Sequence, residues 1–370
     1  MNVAGRVDAL ADGLAAGGEL TDPAWRAALH AVPRHLFVPP VAWADPSDEP
    51  GYAIDRERDR SAWCDAAYSD RPIITQLDDG TSDVRGGKGR YSSSLSAPGA
   101  VVEFLELLDP YEGDRVLEIG TGSGWTAGLL SHRLGDGNVT SVEIDPEVHE
   151  RAARNLKEAG RAPRLVLGDG TEGWAEGAPY DRVHVTAGVR DVPYAWVEQT
   201  RPGGVIVLPW MPGYEPGHKV RLTVGADGTA SGRIAGGARY MMLRAQRPPA
   251  ASGPGGGGDV REREATVDPR RILRAGYGLD VALAASLPDV SAVVADGDPA
   301  RVWLWAAGAG AQTVGSRVRQ FGDRDLWDEV EAAFFRWLKW GEPERGRFGL
   351  TVTSQGQHVW LDDPGRPVTG

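Results

Sequence analysis

The sequence predicts a doubly wound α/β sheet with a helical N-terminal cap and a smaller α+β domain towards its C-terminal end. Three observations carry this reading. From residue 114 onward short apolar runs alternate with amphipathic segments, the pattern of successive strand–helix units around a mostly parallel sheet. The apolar run Val116-Leu117-Glu118-Ile119 passes directly into Gly120-Thr121-Gly122-Ser123-Gly124, a strand feeding a turn with glycine at alternate positions. Residues 248–258 consist only of Pro, Ala, Ser and Gly, a composition that suits a linker and divides the chain.

The elements follow in order. Residues 3–36 read as helical, because Val7, Leu10 and Leu14, then Trp25, Leu29 and Val32, recur at the spacing of one helix face. Residues 45–93 are polar, rich in Gly, Asp and Arg, and read as irregular. They complete a cap over about 1–98, after which helical spacing returns at Val101, Val102, Leu105 and Leu108. Strand 115–119 leads through the glycine turn into a helix over about 124–134. Strand 139–144 leads into helix 146–159, opened by Pro146 where a missing amide does no harm and ended before Gly160. Strands 164–167 and 182–186, a helix near 194–200 and strand 205–208 come next. Strands 219–224 and 239–245 flank a turn containing Asp227-Gly228. The expected division is therefore a first domain over 1–247, a linker over 248–259 and a Trp-rich domain over 260–370. In the last, Leu326, Trp327, Val330, Phe334, Trp337 and Leu338 share a helix face, with Asp325 as cap and Gly341 and Pro343 as stop. Strands 348–352 and 358–361 then form a hairpin turning at Gly356.

Composition narrows the function. The chain has 370 residues, 41% of them hydrophobic, enough for two cores, and a net charge of −12 that argues against a general nucleic-acid surface. Its single cysteine, Cys64, excludes an intramolecular disulfide and a cysteine zinc cluster, and reads as a buried thiol. His132, His149 and His184 lack metal-ligand spacing, so no metal is expected. No apolar run reaches membrane length and the first residues do not resemble a signal peptide, which leads us to expect a cytoplasmic enzyme without a membrane partner.

The chemistry centres on the glycine turn. A dinucleotide fingerprint would need its third glycine where Trp125 stands, so NAD is disfavoured. Acid-x-G-x-G-x-G instead resembles the S-adenosylmethionine (SAM) site of class I methyltransferases. On that resemblance Gly120, Thr121, Gly122, Ser123 and Gly124 lie under the methionine half, with the positive helix end facing its carboxylate. Glu118, followed by Ile119, reaches loop amides or the ligand's amino group. Glu143, beside Ile144, accepts hydrogen bonds from the ribose hydroxyls. Asp169 and Gly170 meet the adenine, and Thr186 closes the fourth strand.

Further blocks extend the resemblance. Residues 117–124, Glu143, 168–174, 178–181, 186–187 and 199–204, with 33–39, 67–72 and 94–98 upstream, closely resemble the protein L-isoaspartate O-methyltransferase family over about 20–245. The resemblance implies the class I SAM-methyltransferase fold and a carboxylate acceptor. It places Ser96 at that carboxylate as the catalytic position, and Ser94, Leu95 and Pro98 in the floor of the acceptor pocket. Tyr68, Asp70, Val189 and Pro193 join them as substrate-binding candidates. Ser96 is equally suited to cap a helix starting at Pro98. A carboxylate with a reference pKa near 4 is already ionised at neutral pH, so no catalytic His/Asp pair is required.

Three features depart from the family's repair enzymes: the long segment 73–91, Trp125 after the glycine turn, and a C-terminal domain without counterpart. The layout resembles more closely the homologues that tailor ribosomally made peptides (lanthipeptides, lasso peptides, graspetides), in which 192–199 and 346–352 are typical. That resemblance implies methylation of an aspartate in a ring-constrained, modified precursor peptide and closure to an aspartimide, which persists or hydrolyses to isoaspartate. Two other readings stand beside it: isoaspartyl repair with an accessory domain, and a SAM-binding scaffold. Trp303, Trp305, Trp327, Trp337, Trp340 and Trp360 read as core rather than as a peptide platform. Arg317, Arg319 and Arg324 read as solvated charge rather than as a grip on an acidic peptide.

Overall fold

The computed structural model describes residues 2–46, 49–212, 217–247, 260–295 and 297–368. Two compact units emerge, one comprising Met1–Ala187 and Ala195–Val207, the other Gly188–Tyr194 and Leu208–Gly370. They part near 187 and 207, whereas the sequence suggests a division at 248–259, a segment outside the described residues.

In the first unit five parallel strands line up in the order Thr200–Trp210, Tyr180–Val185, Val116–Ile119, Val139–Glu143, Arg164–Leu167. All four residues of Val116–Ile119 are buried, as expected of a central parallel strand covered on both faces. The chain order reverses beside this strand, and such a switch point opens a crevice at the carboxyl ends of the strands. Helices Trp125–Leu134 and Pro146–Glu158 run back along the sheet. Asp145 caps the second of them, accepting from the amides of Glu147 and Val148.

The cap differs from expectation. The helical stretch divides into Val3–Gly17 and Pro23–Ala31, separated by Gly18 in the left-handed region (φ 87°) and restarted by the Asp22 side chain. Residues 45–93, read as irregular, contribute helix Arg60–Ala67 and most of an antiparallel sheet ordered Tyr52–Asp55, Val41–Ala44, Ile73–Leu77, Tyr91–Leu95. The apolar signal is weak because polar side chains pair inside this sheet. All five residues of Ile73–Leu77 are buried. Thr75 donates to the Ser93 hydroxyl (3.1 Å), and Ser92 donates to the Gln76 amide oxygen (2.8 Å). Gly87 (φ 59°) lies flat on the Trp43 ring, where a Cβ would fall 2.3 Å from ring atoms.

The second unit holds two antiparallel sets of strands. Within it Gly217–Val224, Ala230–Ala238, Phe348–Thr353 and Gly356–Leu361 pair in that order. Arg261–Glu264, Arg317–Gly322, Ala309–Val314, Arg301–Ala306 and Ser291–Ala295 form the other set, on which helix Leu326–Lys339 packs. The strand expected at 239–245 is absent. The strand begins instead at Ala230, directly after a turn in which Asp227 accepts from the Thr229 amide and hydroxyl. Its small residues, Ala-Ser-Gly-Arg-Ile-Ala-Gly-Gly-Ala, carry no alternation to read. Asp325 occupies the cap position of Leu326–Lys339, but its carboxylate pairs with Arg261; the Trp327 amide bonds the Gln320 side chain instead. Trp327, Trp337 and Trp360 are buried in this unit. Arg319 pairs with Glu262, and Arg324 with Asp289 and Glu329, so neither cation is spare.

Candidate active site

Gly120, Gly122 and Gly124 all adopt left-handed conformations (φ 95°, 56° and 92°). At Gly120 a side chain is also excluded by space, since a Cβ would meet the Thr186 hydroxyl at 2.6 Å. Thr186 donates its backbone amide to the Ile119 carbonyl (2.9 Å) and its hydroxyl to the carbonyls of Ile119 and Gly120. The amides of Gly120 and Thr121 bond the Val142 carbonyl (2.9 and 3.2 Å). The turn is thus tied to the strands on both sides. Gly124 starts helix Trp125–Leu134 without a side-chain cap, an arrangement that suits an anion at the helix start.

The acids behave differently from one another. Glu143 aims its carboxylate back at the turn, accepting from the Gly122 amide (2.9 Å) and the Asp145 amide (3.0 Å). Glu118 is 0% exposed and accepts from the Ser141 hydroxyl, which also lies within hydrogen-bond distance of the Thr121 hydroxyl. Burial pushes its pKa up to about 8, and its other oxygen has no partner among the described residues. Among the described residues its side-chain hydrogen bond is to Ser141 rather than to a loop amide. Asp169 is exposed and accepts from the Thr171 amide (2.9 Å), while the Gly170 carbonyl accepts from the Trp196 indole (2.8 Å). The Gly168 amide bonds the Glu143 carbonyl (2.9 Å), bringing this turn beside Glu143. Past the same strand ends Ile144 and Leu167 are 38% and 52% exposed.

The acceptor segment abuts the turn. A Cβ built on Gly122 would lie 3.4 Å from the Ser94 carbonyl oxygen. Ser96 is half-buried, and its hydroxyl makes no hydrogen bond among the described residues; the helix cap is Ala97, not Ser96. The cap's hydrogen bond comes from Asp70, which accepts from the Gly99 amide (2.7 Å). Asp70 thereby holds the start of helix Pro98–Leu108. Tyr68 is likewise buried, its hydroxyl 2.6 Å from His35 Nδ1 and its pKa pushed up to about 12 by burial. Leu95 and Pro98 are buried in the core and Ser94 is half-buried. Val189 and Pro193 fall in the second unit; Val189 is buried there, its backbone paired with Pro209 and Met211.

Arg34 escaped the sequence reading. Its buried guanidinium donates to the carbonyls of Ala67, Ser69, Arg71 and Ser96 and sits 5.3 Å from the centre of the Trp125 ring. Burial lowers its pKa to about 9, which leaves it charged at neutral pH. One side chain thus ties 67–71 and Ser96 to the helix behind the glycine turn. Gln76 has a related role, donating to Asp145 (3.1 Å) and so docking the 73–95 hairpin next to Glu143. The available signal was a charged or polar residue within an otherwise apolar block. Among the described residues, no group of three or more His, Cys, Asp and Glu could hold a metal, and no helix is long and apolar enough to cross a membrane.

A parallel sheet with a glycine turn at its switch point and an acid ending the next strand defines the class I SAM-dependent methyltransferase fold. The fit to that cofactor is physical: bare backbone at Gly120 and Gly122, an uncapped helix start, a carboxylate beside them, and exposed Ile144 for a planar ring. The sequence profile described as Protein-L-isoaspartate(D-aspartate) O-methyltransferase (PCMT) matches residues 52–246, over half of the chain, which therefore belongs to that family. A Protein-L-isoaspartate O-methyltransferase of Methanopyrus kandleri is 39% identical over 185 residues, 49% of this chain and 66% of the relative. Protein-L-isoaspartate O-methyltransferase 2 of Archaeoglobus fulgidus is 32% identical over 225 residues, 59% of this chain and 84% of the relative. A solved protein-L-isoaspartate O-methyltransferase superposes with a TM-score of 0.57 and 22% identity, covering 96% of this chain and 100% of its own.

Proposed function

We propose that this enzyme uses SAM to esterify the carboxylate of an isoaspartyl residue in a protein or peptide. In this reading residues 120–124 hold the methionine half, Glu143 the ribose, and Ile144 with Asp169 and Gly170 the adenine. The observation that supports it best is the Ser94 carbonyl lying against Gly122, which sets the end of the acceptor strand beside the cofactor turn. When bound, SAM supplies a methyl group that its sulfonium already makes electrophilic. The acceptor carboxylate is ionised at neutral pH, so no side chain need remove a proton. The protein's part is placement: the Ser96 hydroxyl is set to donate to the carboxylate, while Arg34 fixes the Ser96 backbone through its carbonyl. His184 has its pKa lowered to about 4 by burial and is not poised to act as a base.

A second reading, esterification of an ordinary aspartate in a ring-constrained ribosomal peptide, draws support from segment 73–91. This segment is a built feature. Asp78 and Asp79 adopt left-handed backbone, Asp78 accepts from Ser82 and the Arg90 amide, and Gln76 reaches Asp145 beside Glu143. Such an ester is attacked by the next backbone amide, releasing methanol and leaving an aspartimide. Both acceptors are tested together with labelled SAM, an isoaspartyl peptide, its aspartyl twin and a macrocyclic aspartyl peptide, followed by mass. Label on the isoaspartyl peptide alone is expected, with slower transfer and retained SAM affinity in Ser96→Ala. Label confined to the macrocycle establishes the second reading, and tight SAM binding with no labelled peptide favours a scaffold.

A further inference from the structure

In the first unit lies a cavity of about 460 Å³ to which the glycine turn, Glu118, Glu143 and the segment 94–98 contribute no residue. Four arginines line it: Arg56 and Arg60, in the loop and first turn leading into helix Arg60–Ala67, and Arg151 and Arg154 on helix Pro146–Glu158. Glu158 is the single carboxylate in its lining, and His35 is held towards its neutral form, chiefly by burial. So concentrated a positive charge is notable in a chain with a net charge of −12. Other arginines of this unit, such as Arg26, Arg90 and Arg133, are paired with carboxylates. Among the described residues Arg56, Arg60 and Arg151 have no ion pair. Arg154 reaches only Glu150 at 3.8 Å, both groups being largely exposed, and such a contact contributes little. The wall is firm, because the Trp63 indole donates to the Pro39 carbonyl (2.9 Å) and carries Arg56 over its ring at 5.6 Å.

We propose that this cavity binds a small phosphorylated ligand. Its volume is within the range of small-molecule sites. Guanidinium groups lining one cavity from separate elements suit the tetrahedral oxygens of a phosphoryl group, which accept from several forks at once. The cavity also adjoins the cofactor turn from behind: Asn155 lines it and donates to the Ser123 carbonyl (3.0 Å).

The test is isothermal titration calorimetry of the full chain with inorganic pyrophosphate at about 0.15 M salt, where long-range surface attraction is screened. Saturable one-site binding is expected, weakened roughly tenfold or more in Arg60→Gln/Arg151→Gln. SAM affinity measured on the same variant is expected to stay unchanged, which shows that it is folded. Absence of saturable binding to the wild-type chain overturns the proposal, as does equal affinity in the variant. Binding of an oligoglutamate peptide without pyrophosphate overturns it in favour of an acidic polypeptide.

Discussion

Glu118 and Glu143 are both acids at the ends of neighbouring strands, yet their surroundings differ. Glu143 accepts from two backbone amides, those of Gly122 in the turn and of Asp145. Glu118 has a hydroxyl on one oxygen and, among the described residues, nothing on the other, and burial pushes its pKa from 4.5 up to about 8. Between those values the folded chain keeps a proton that the unfolded chain has lost. Stability contributed at this position is therefore greatest below about 4.5, declines as pH rises and levels off above about 8. Glu118→Gln mimics the protonated form at every pH. It is expected to melt at a higher temperature than wild type near pH 9 and at about the same temperature near pH 5, in paired thermal scans. A gap of equal size at both pH values would mean that the carboxyl is not buried as described. The sequence could place both acids because the strand ends carry a pattern; it could not tell which one meets the turn amides, since that depends on Ser141 across the sheet.

At the scale of elements, the parallel strands and their helices were legible because apolar runs and amphipathic stretches repeat in register with their geometry. The small sheet of the cap was not, since Thr75, Gln76, Ser92 and Ser93 satisfy one another inside it and remove the alternation a strand normally shows. The resemblance named Ser96 as the catalytic position and Tyr68 and Asp70 as substrate-binding candidates, and their contacts differ. Asp70 caps a helix, Tyr68 meets His35, and the Ser96 hydroxyl makes no hydrogen bond among the described residues. Arg34 is what holds these segments together, with four carbonyls around one planar fork. Lysine keeps the charge but offers its donors from a single point, so it cannot reach all four. Arg34→Lys is expected to lower unfolding free energy by about 2–4 kcal/mol in urea titrations, leaving buried carbonyls unsatisfied. A loss below about 0.5 kcal/mol would show that the fork is dispensable.

For the molecule as a whole, the glycine-rich run at 248–258 is the most visible punctuation in the sequence, but the described contacts do not respect it. Strand Ala230–Ala238, on its N-terminal side, pairs with Phe348–Thr353 on the other, Ala230 opposite Val352 and Arg233 opposite Gly349. The Ser231 and Thr351 hydroxyls meet at 2.7 Å, and Arg233 donates to the carbonyls of Gly346, Arg347 and Asp362 while lying over Trp360. Phe348, Leu350 and Val352 are buried. Long-range pairing of this kind leaves no local trace in a strand made largely of Gly, Ala and Ser. A fragment ending at residue 247 would keep the glycine turn, the acids and Ser96, yet strip this strand of its partner and present an open edge. It is expected to aggregate, or to lose its cooperative thermal transition, when compared with the full chain by gel filtration and circular dichroism. A monomeric fragment that melts cooperatively and binds SAM as tightly as the full chain would show that 1–247 folds alone. The C-terminal strands would then be an addition to the catalytic unit rather than part of its support.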